Sequence, residues 1–451
     1  MIPTPLRSTP DPRDDASEKR FPEGFTLAAA AVLGAVIVLA TALLWGRLTG
    51  PDGTLQATDD PGQRATRPAP TSSTTPSPTR PPSSSVPPSR GPSASTTSPR
   101  NQIQPVACPA AVEPVVCEAV KFVQLARGRP FKTFPTVELL DDAAFDQALL
   151  ADFEQYRDDL DADGVTLTAL GLLDPRTPLV DAYRDALELG VVGFYDPTSE
   201  RLVVRGGELS LYAQATLVHE LTHAFDDQWF DLDRDDFLDD DAEYGFTAVV
   251  EGNARRVEDQ WRAELDPSRQ SQLQVEEFSA LSAQDLLRYL SLPPILQQLQ
   301  LSPYTEGASY VGQLASAGGE ASVDQALTAP PQSSEEILHP ETGRTADPEV
   351  IVAQPLAGGT AVNQGRLGEV TIGFWLGGTA AAGWGGDNYV AWRDGRDRSC
   401  IAVDLAADSP ADLDQIDAAA RSWVASQPGV RTAERATLDG VSLIRATGCA
   451  G

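Results

Sequence analysis

The sequence predicts an α+β fold, mainly helical with a small sheet, closed by a smaller C-terminal α+β unit and preceded by a single N-terminal transmembrane helix. Three observations predict it. Phe25 to Trp45 is an apolar run without a charge, long enough to cross a bilayer. From about Val106 onward, helical spacing alternates with short β-rich runs. Between the two, Pro51 to Pro105 is so rich in Pro, Ser and Thr that it has almost nothing to bury.

The N-terminal elements set the location. Residues 1–24 carry Arg7, Arg13, Lys19 and Arg20, whereas only Arg47 and the more distant Arg64 follow the apolar run. The positive-inside bias makes 1–24 a cytoplasmic tail and 25–46 a signal anchor, and no small-x-small site closes the run for cleavage. Residues 47–105 read as a disordered stalk that spaces the folded part from the membrane. The expected location is therefore the cell membrane, single-pass, with everything after Arg47 extracytoplasmic.

All 4 cysteines lie beyond the stalk, and an even number in an exported region argues for disulfides. Three connectivities are possible. The expected one is Cys108–Cys117, closing a small loop where the fold begins, with Cys400–Cys449 joining two C-terminal strands. The formal net charge of −31 repels phosphate backbones, which disfavours nucleic acid as a partner.

In the first folded part, residues 106–365, helices are expected over Glu118 to Arg127, Asp142 to Leu160 and Pro178 to Leu189, with a strand at Thr136 to Leu140. Two β-rich runs, Gly190 to Asp196 and Arg201 to Arg205, flank an Asp-Pro turn and read as a hairpin. Ser210 suits the N-cap of a helix running to about Gln228.

That helix contains His219-Glu220-Leu221-Thr222-His223, which uses two of the chain's 3 histidines. Imidazoles four apart on a helix project from one face at the separation one Zn²⁺ needs, and Glu220 stands beside the metal as a general base for a bound water. A catalytic zinc usually has three protein ligands. Asp226 and Trp229 occupy the positions where a nearby Gly and third His would fall, so the ligand must come from elsewhere. Glu251, on a second helix expected from Ala242 to Leu265, is the best candidate if the two helices run antiparallel.

Between them lies an acidic loop. Asp231, Asp233 and Asp235 imitate the opening of a calcium site, but Asp236 replaces the turn glycine and Ala242 the closing glutamate. A solvated loop is the first reading, irregular Ca²⁺ binding the second.

An H-E-L-T-H helix followed by a glutamate on a second helix resembles the gluzincin metallopeptidases, of which the thermolysin-like enzymes are best known. The resemblance covers about Tyr195 to Gln260. It implies a zincin-like metallopeptidase domain over 106–365, one catalytic Zn²⁺ on His219, His223 and Glu251, and a peptide or protein substrate. By the same resemblance Asp227, four residues after the second His, is a possible outer partner of the ligands. The thermolysin-like acid four residues after the third ligand is absent, because Arg255 stands there. A nearer resemblance is to bacterial exported gluzincin-like proteins that share the Tyr195-Asp196-Pro197 hairpin, the helix from Val250 to Ala254, and stretches matching Pro303 to Tyr310, Ser333 to Pro340 and Gly383 to Tyr389.

Candidates for stabilising the oxyanion are His339, Tyr304 and Tyr310. In the C-terminal unit, 366–451, an apolar helix is expected over Arg366 to Ala382, then strands near Tyr389 to Trp392 and Cys400 to Leu405. A helix from Asp412 to Ser426 and two final strands complete it. Trp384 and Asp387 are read either as substrate contacts or as parts of a glycine-rich turn. The functional expectation is a membrane-anchored extracytoplasmic zinc metallopeptidase; its alternative is a catalytically inactive zincin-like binding or scaffold protein.

Overall fold

The structure, a computed structural model, describes residues 103–340 and 360–451, apart from positions 188, 190, 208, 235, 236, 281, 427, 428 and 439. The expected tail, membrane anchor and nearly all of the stalk lie outside the described residues. Among the described residues no helix is long and apolar enough to cross a membrane.

Helix α1 (Pro114–Arg127) starts four residues before the sequence suggests, on a proline whose missing N–H costs nothing in a first turn, and stops at left-handed Gly128. Strand β1 (Val137–Leu140) and helix α2 (Asp142–Phe153) follow. The expected single helix to Leu160 is interrupted by a 3₁₀ turn, Glu154–Tyr156, before α3 (Arg157–Leu170). Phe153 and Tyr156 are both core residues, and a 3₁₀ turn places positions three apart on one side. Then come α4 (Leu179–Leu187), β2 (Gly193–Asp196) and β3 (Arg201–Arg205), the last two forming the expected antiparallel hairpin.

The first sheet has the order β1-β3-β2, with β1 parallel to β3, so β2 is an edge strand. Its side chains alternate between two cores. Phe194 and Val203 face the α2 to α4 side, whereas Tyr195, Leu202 and Val204 face α1 and the next helix. That helix, α5 (Leu211–Phe230), is capped by Ser210, whose hydroxyl accepts the Ala213 N–H.

Helix α6 (Asp240–Glu264) packs against α5, capped by Asp239. Next are α7 (Pro267–Ala280), α8 (Ala283–Ser291), α9 (Pro294–Gly318), α10 (Glu320–Thr328) and α11 (Ser334–Leu338). Helix α9 crosses α6 through Gly307 and Gly252. A Cβ on Gly252 would run into the Gly307 carbonyl, and one on Gly307 into the Ala248 carbonyl. This crossing needs glycine for backbone approach. Gly307→Val is therefore expected to destabilise the fold by about 3 kcal/mol or more, read as a lowered thermal midpoint; an unchanged midpoint would show that the helices part without cost.

The C-terminal unit contains β4 (Thr360–Gly365), α12 (Gly368–Leu376), α13 (Gly378–Ala381), β5 (Trp384–Arg393), β6 (Ser399–Ala407), α14 (Pro410–Ser426), β7 (Arg431–Leu438) and β8 (Val441–Cys449). They make an antiparallel sheet of order β4-β5-β6-β8-β7. Strand β4 was not foreseen, and it puts residues before 366 into this sheet. The expected helix to Ala382 breaks at Gly377, whose φ of 94° suits glycine. Helices α3 and α14 share one core with the sheet, built on Val165, Ile401, Val403, Ile416 and Ile444.

Both expected disulfides are present. Cys108 joins Cys117, and Cys400 joins Cys449 across directly paired positions of β6 and β8.

Where α6 meets the C-terminal unit, Asp387 accepts the Leu367 and Gly368 N–H groups and the Trp384 indole, the role of a structural turn. Burial pushes Asp387 and nearby Asp241 each up to about 7. A carboxyl that holds its proton more tightly when folded stabilises the fold fully below its unfolded pKa near 4. That contribution is lost as pH rises through about 7. Thermal midpoints are thus expected to fall from pH 5 to pH 8, and less steeply in Asp241→Asn; parallel profiles would count against this.

Candidate metal centre

Helix α5 is buried on most of its surface, so its motif residues face other helices. His223 and Glu220 are fully buried and His219 nearly so. Helix α6 lies alongside and presents Glu251, also fully buried. His219 Nε2 is 3.2 Å from Glu251 Oε2, and His223 Nε2 is 3.5 Å from the same oxygen. One ligand atom from each of the three residues falls within 4.8 Å of the others.

These separations fit a zinc ion. Tetrahedral ligands at metal distances of about 2.0–2.1 Å stand about 3.3 Å apart. The remaining polar atoms fit as well. His223 Nδ1 and Glu251 Oε1 are buried without a hydrogen bond. Buried polar groups are rarely left so, and these belong to two of the three candidate ligands.

The electrostatics follow from this crowding. Burial works against a charged His219, but the Glu251 and Glu258 carboxylates outweigh it and raise the ring to about 10. Burial holds His223 below its usual value. Glu251 is desolvated, yet the two histidines keep it below the carboxylate range. Glu220, desolvated and close to Glu251 and Glu258, is pushed up to about 8.

Glu258 is a residue the sequence reading missed. Its Oε2 lies 3.3 Å from His219 Nδ1, while Oε1 accepts from Arg262 Nε at 2.7 Å. Arg262 in turn pairs with Glu277 of α7. The signal was available, because position 258 is seven residues, or two turns, beyond Glu251 and so on the same helix face. A carboxylate on the second nitrogen fixes the tautomer and orientation of a ligand histidine. Glu258→Gln is expected to weaken zinc binding by about 10- to 100-fold; zinc titration giving an unchanged affinity would contradict that role.

Other predicted residues are distributed as follows. Tyr304 of α9 is buried and stacks on His219 with ring centroids 6.1 Å apart. Burial, then the charge of Glu251 and a hydrogen bond to it, pushes its phenol well above the usual range. Tyr310 packs instead with Phe246, Val249 and Val311 in a separate apolar core. His339, at the end of α11, pairs with Glu369 of α12 through Nε2 at 3.0 Å and is not in the histidine–glutamate cluster.

Asp227 is bonded to other groups than the ligands. Its carboxylate accepts the Tyr195 hydroxyl at 2.5 Å and the Leu232 N–H, tying strand β2 to the end of α5. The residue before it, Asp226, takes Arg127 Nε and Asn253 Nδ2, which clamps α5 to α1 and α6. Of the acidic loop, Asp233 accepts the Thr198 hydroxyl, and Asp235 and Asp236 lie outside the described residues. No grouping of possible metal ligands includes the loop among the described residues.

Strand β2 borders Glu220. A Cβ on Gly193 would lie 3.0 Å from Thr216 Cγ2 and 3.4 Å from Glu220 Cγ, so the missing side chain lets the strand approach α5.

A family model described as a domain of unknown function (DUF8575) matches residues 349–447. Its described part is the C-terminal sheet with α12 to α14, and it contains none of His219, Glu220, His223 or Glu251. Neither a curated protein nor a solved structure matches the chain.

Proposed function

We propose that the chain is a membrane-anchored, extracytoplasmic zinc metallopeptidase of gluzincin type, with a zincin-like domain that hydrolyses peptide bonds. One observation carries the reading: His219, His223 and Glu251 meet at zinc-ligand separations beside a buried Glu220. The uncharged Phe25 to Trp45 run and the two disulfides support anchoring and export.

Zinc held by the three ligands would lower the pKa of a water to about 7 and polarise the scissile carbonyl. Glu220 takes the proton of the attacking water on a carboxylate oxygen and later gives it to the leaving amine. Edge strand β2 offers main-chain pairing to an extended peptide next to Glu220. Tyr304, stacked on His219 and hydrogen-bonded to Glu251, is the candidate to donate its hydroxyl to the developing oxyanion once the metal takes Glu251.

One observation favours the second reading, an inactive binding or scaffold protein: Glu220, His223 and Glu251 are all fully buried. A peptide-library digest separates the two. Cleavage that stops on chelation and returns with zinc supports the peptidase. A zinc-loaded chain that cuts nothing across a broad library supports the scaffold.

A further inference from the structure

The carboxylate that meets His219 is itself held from behind. Glu258 Oε1 accepts from Arg262 Nε at 2.7 Å and from Nη2 at 2.5 Å, and Arg262 Nη1 lies 2.5 Å from Glu277 Oε1. Arg255 is farther off, its Nη1 3.7 Å from Glu258 Oε2. A line of alternating charge thus runs from α7 through α6 to the second nitrogen of a candidate ligand. Helical spacing builds it. Arg262 follows Glu258 by four residues, one turn along the same face of α6. Glu277 follows Leu273 by four residues, and Leu273 packs with Leu211, Tyr212 and Ala215 at the start of α5. The face of α7 that docks on the motif helix therefore also carries Glu277.

Burial makes this line hard to explain by stability alone. Glu277 is 1% exposed and Glu258 5%. Taking such charges out of water is expensive, and apolar residues of similar volume in place of a buried ion pair are often as stable or more so. What the charges supply is orientation. A guanidinium with separate nitrogens on two carboxylates fixes both, which a point charge on a flexible stem does not. The line ends where orientation counts: Glu258 Oε2 is 3.3 Å from His219 Nδ1, while Nε2 of the same ring is 3.2 Å from Glu251. The other histidine lacks this support, because His223 Nδ1 is buried without a hydrogen bond.

We propose that Arg262 and Glu277 are positioning residues for the metal. Glu277, carried by α7, and Arg262 fix the Glu258 carboxylate; Glu258 takes the Nδ1 proton of His219 and leaves Nε2 turned toward the ion. The proposal rests on zinc binding at His219, His223 and Glu251. It makes α7, which contributes no ligand, a determinant of zinc affinity.

The test is zinc affinity, by chelator competition on the purified full chain, for Glu277→Gln, Glu258→Gln and the double variant. Glu277→Gln keeps the shape of the side chain and loses its charge; it is expected to weaken zinc about ten-fold, the low end for an outer partner. The double variant is expected to bind zinc no more weakly than Glu258→Gln alone, because Glu277 acts through Glu258. A direct field of Glu277 on the metal would instead add to the Glu258 effect. Glu276→Ala is the control. It removes the acceptor of the Tyr212 N–H, a tie between α7 and α5 outside the line, so it is expected to lower the thermal midpoint and keep wild-type zinc affinity. Unchanged affinity in Glu277→Gln, additive losses in the double variant, or an equal loss in Glu276→Ala would each overturn the proposal and leave the metal site standing. If Glu277→Gln does not fold, Arg262→Lys, which keeps the charge and loses the fork, takes its place in the cycle with the same expectations. A wild type that binds no zinc would overturn the metal site and this proposal together.

Discussion

Replacing Glu220 by glutamine is expected to leave zinc bound at one equivalent and to lower peptide hydrolysis by about 10³-fold, within the range set by losing a general base. The asymmetry between binding and turnover follows from position. Glu220 is not among the three residues whose ligand atoms converge, although it is buried beside them. Glutamine keeps the shape and cannot take a proton. It also removes a carboxyl that burial makes costly to ionise, so the variant is expected to be at least as stable as wild type. Hydrolysis rates and metal content measured on the same preparation check both halves. Retained turnover would exclude Glu220 as the base.

Glu251→Ala is expected to have the opposite signature. It removes the oxygen that lies near both imidazoles, so zinc affinity should fall by more than about 100-fold, beyond what losing an outer partner typically costs. The loss of hydrolysis then follows the loss of metal. It also leaves two buried histidines facing a void, and the metal-free variant should melt lower than zinc-loaded wild type because zinc stabilises the form that binds it. Metal content and thermal midpoint across a zinc series give the result. Full zinc occupancy in Glu251→Ala would assign the third ligand elsewhere.

The parts of the site that follow a helical period could be read directly from the sequence. His219 and His223 share a face by spacing alone, and Ser210 marked the start of their helix. Glu251 required one further step, the antiparallel pairing of α5 and α6. Glu258 lay within reach of the same reasoning, but the resemblance directed attention to the acid expected at position 255, where Arg255 stands. Periodicity puts position 258 back on the ligand face.

What the sequence hid is non-local. Tyr304 meets His219 only because Gly252 and Gly307 let α9 and α6 touch at the backbone, and no local pattern relates those positions. His339 is set against Glu369 by the packing of α11 on α12, which spacing along the chain does not disclose. The fold behaves in the same way. The hairpin and both disulfides were anticipated from turn chemistry and cysteine positions, whereas β4 was missed because Thr360 to Gly365 carries no β-rich apolar run. Its strand conformation comes from pairing with β5.

X-ray absorption at the zinc edge, on the zinc-reconstituted chain, tests the central assignment most directly. The account predicts a shell of nitrogen and oxygen only, at about 2.0–2.1 Å, with the outer scattering of two imidazoles and no sulfur. A sulfur shell near 2.3 Å, or an ion without imidazole scattering, would contradict zinc on His219, His223 and Glu251.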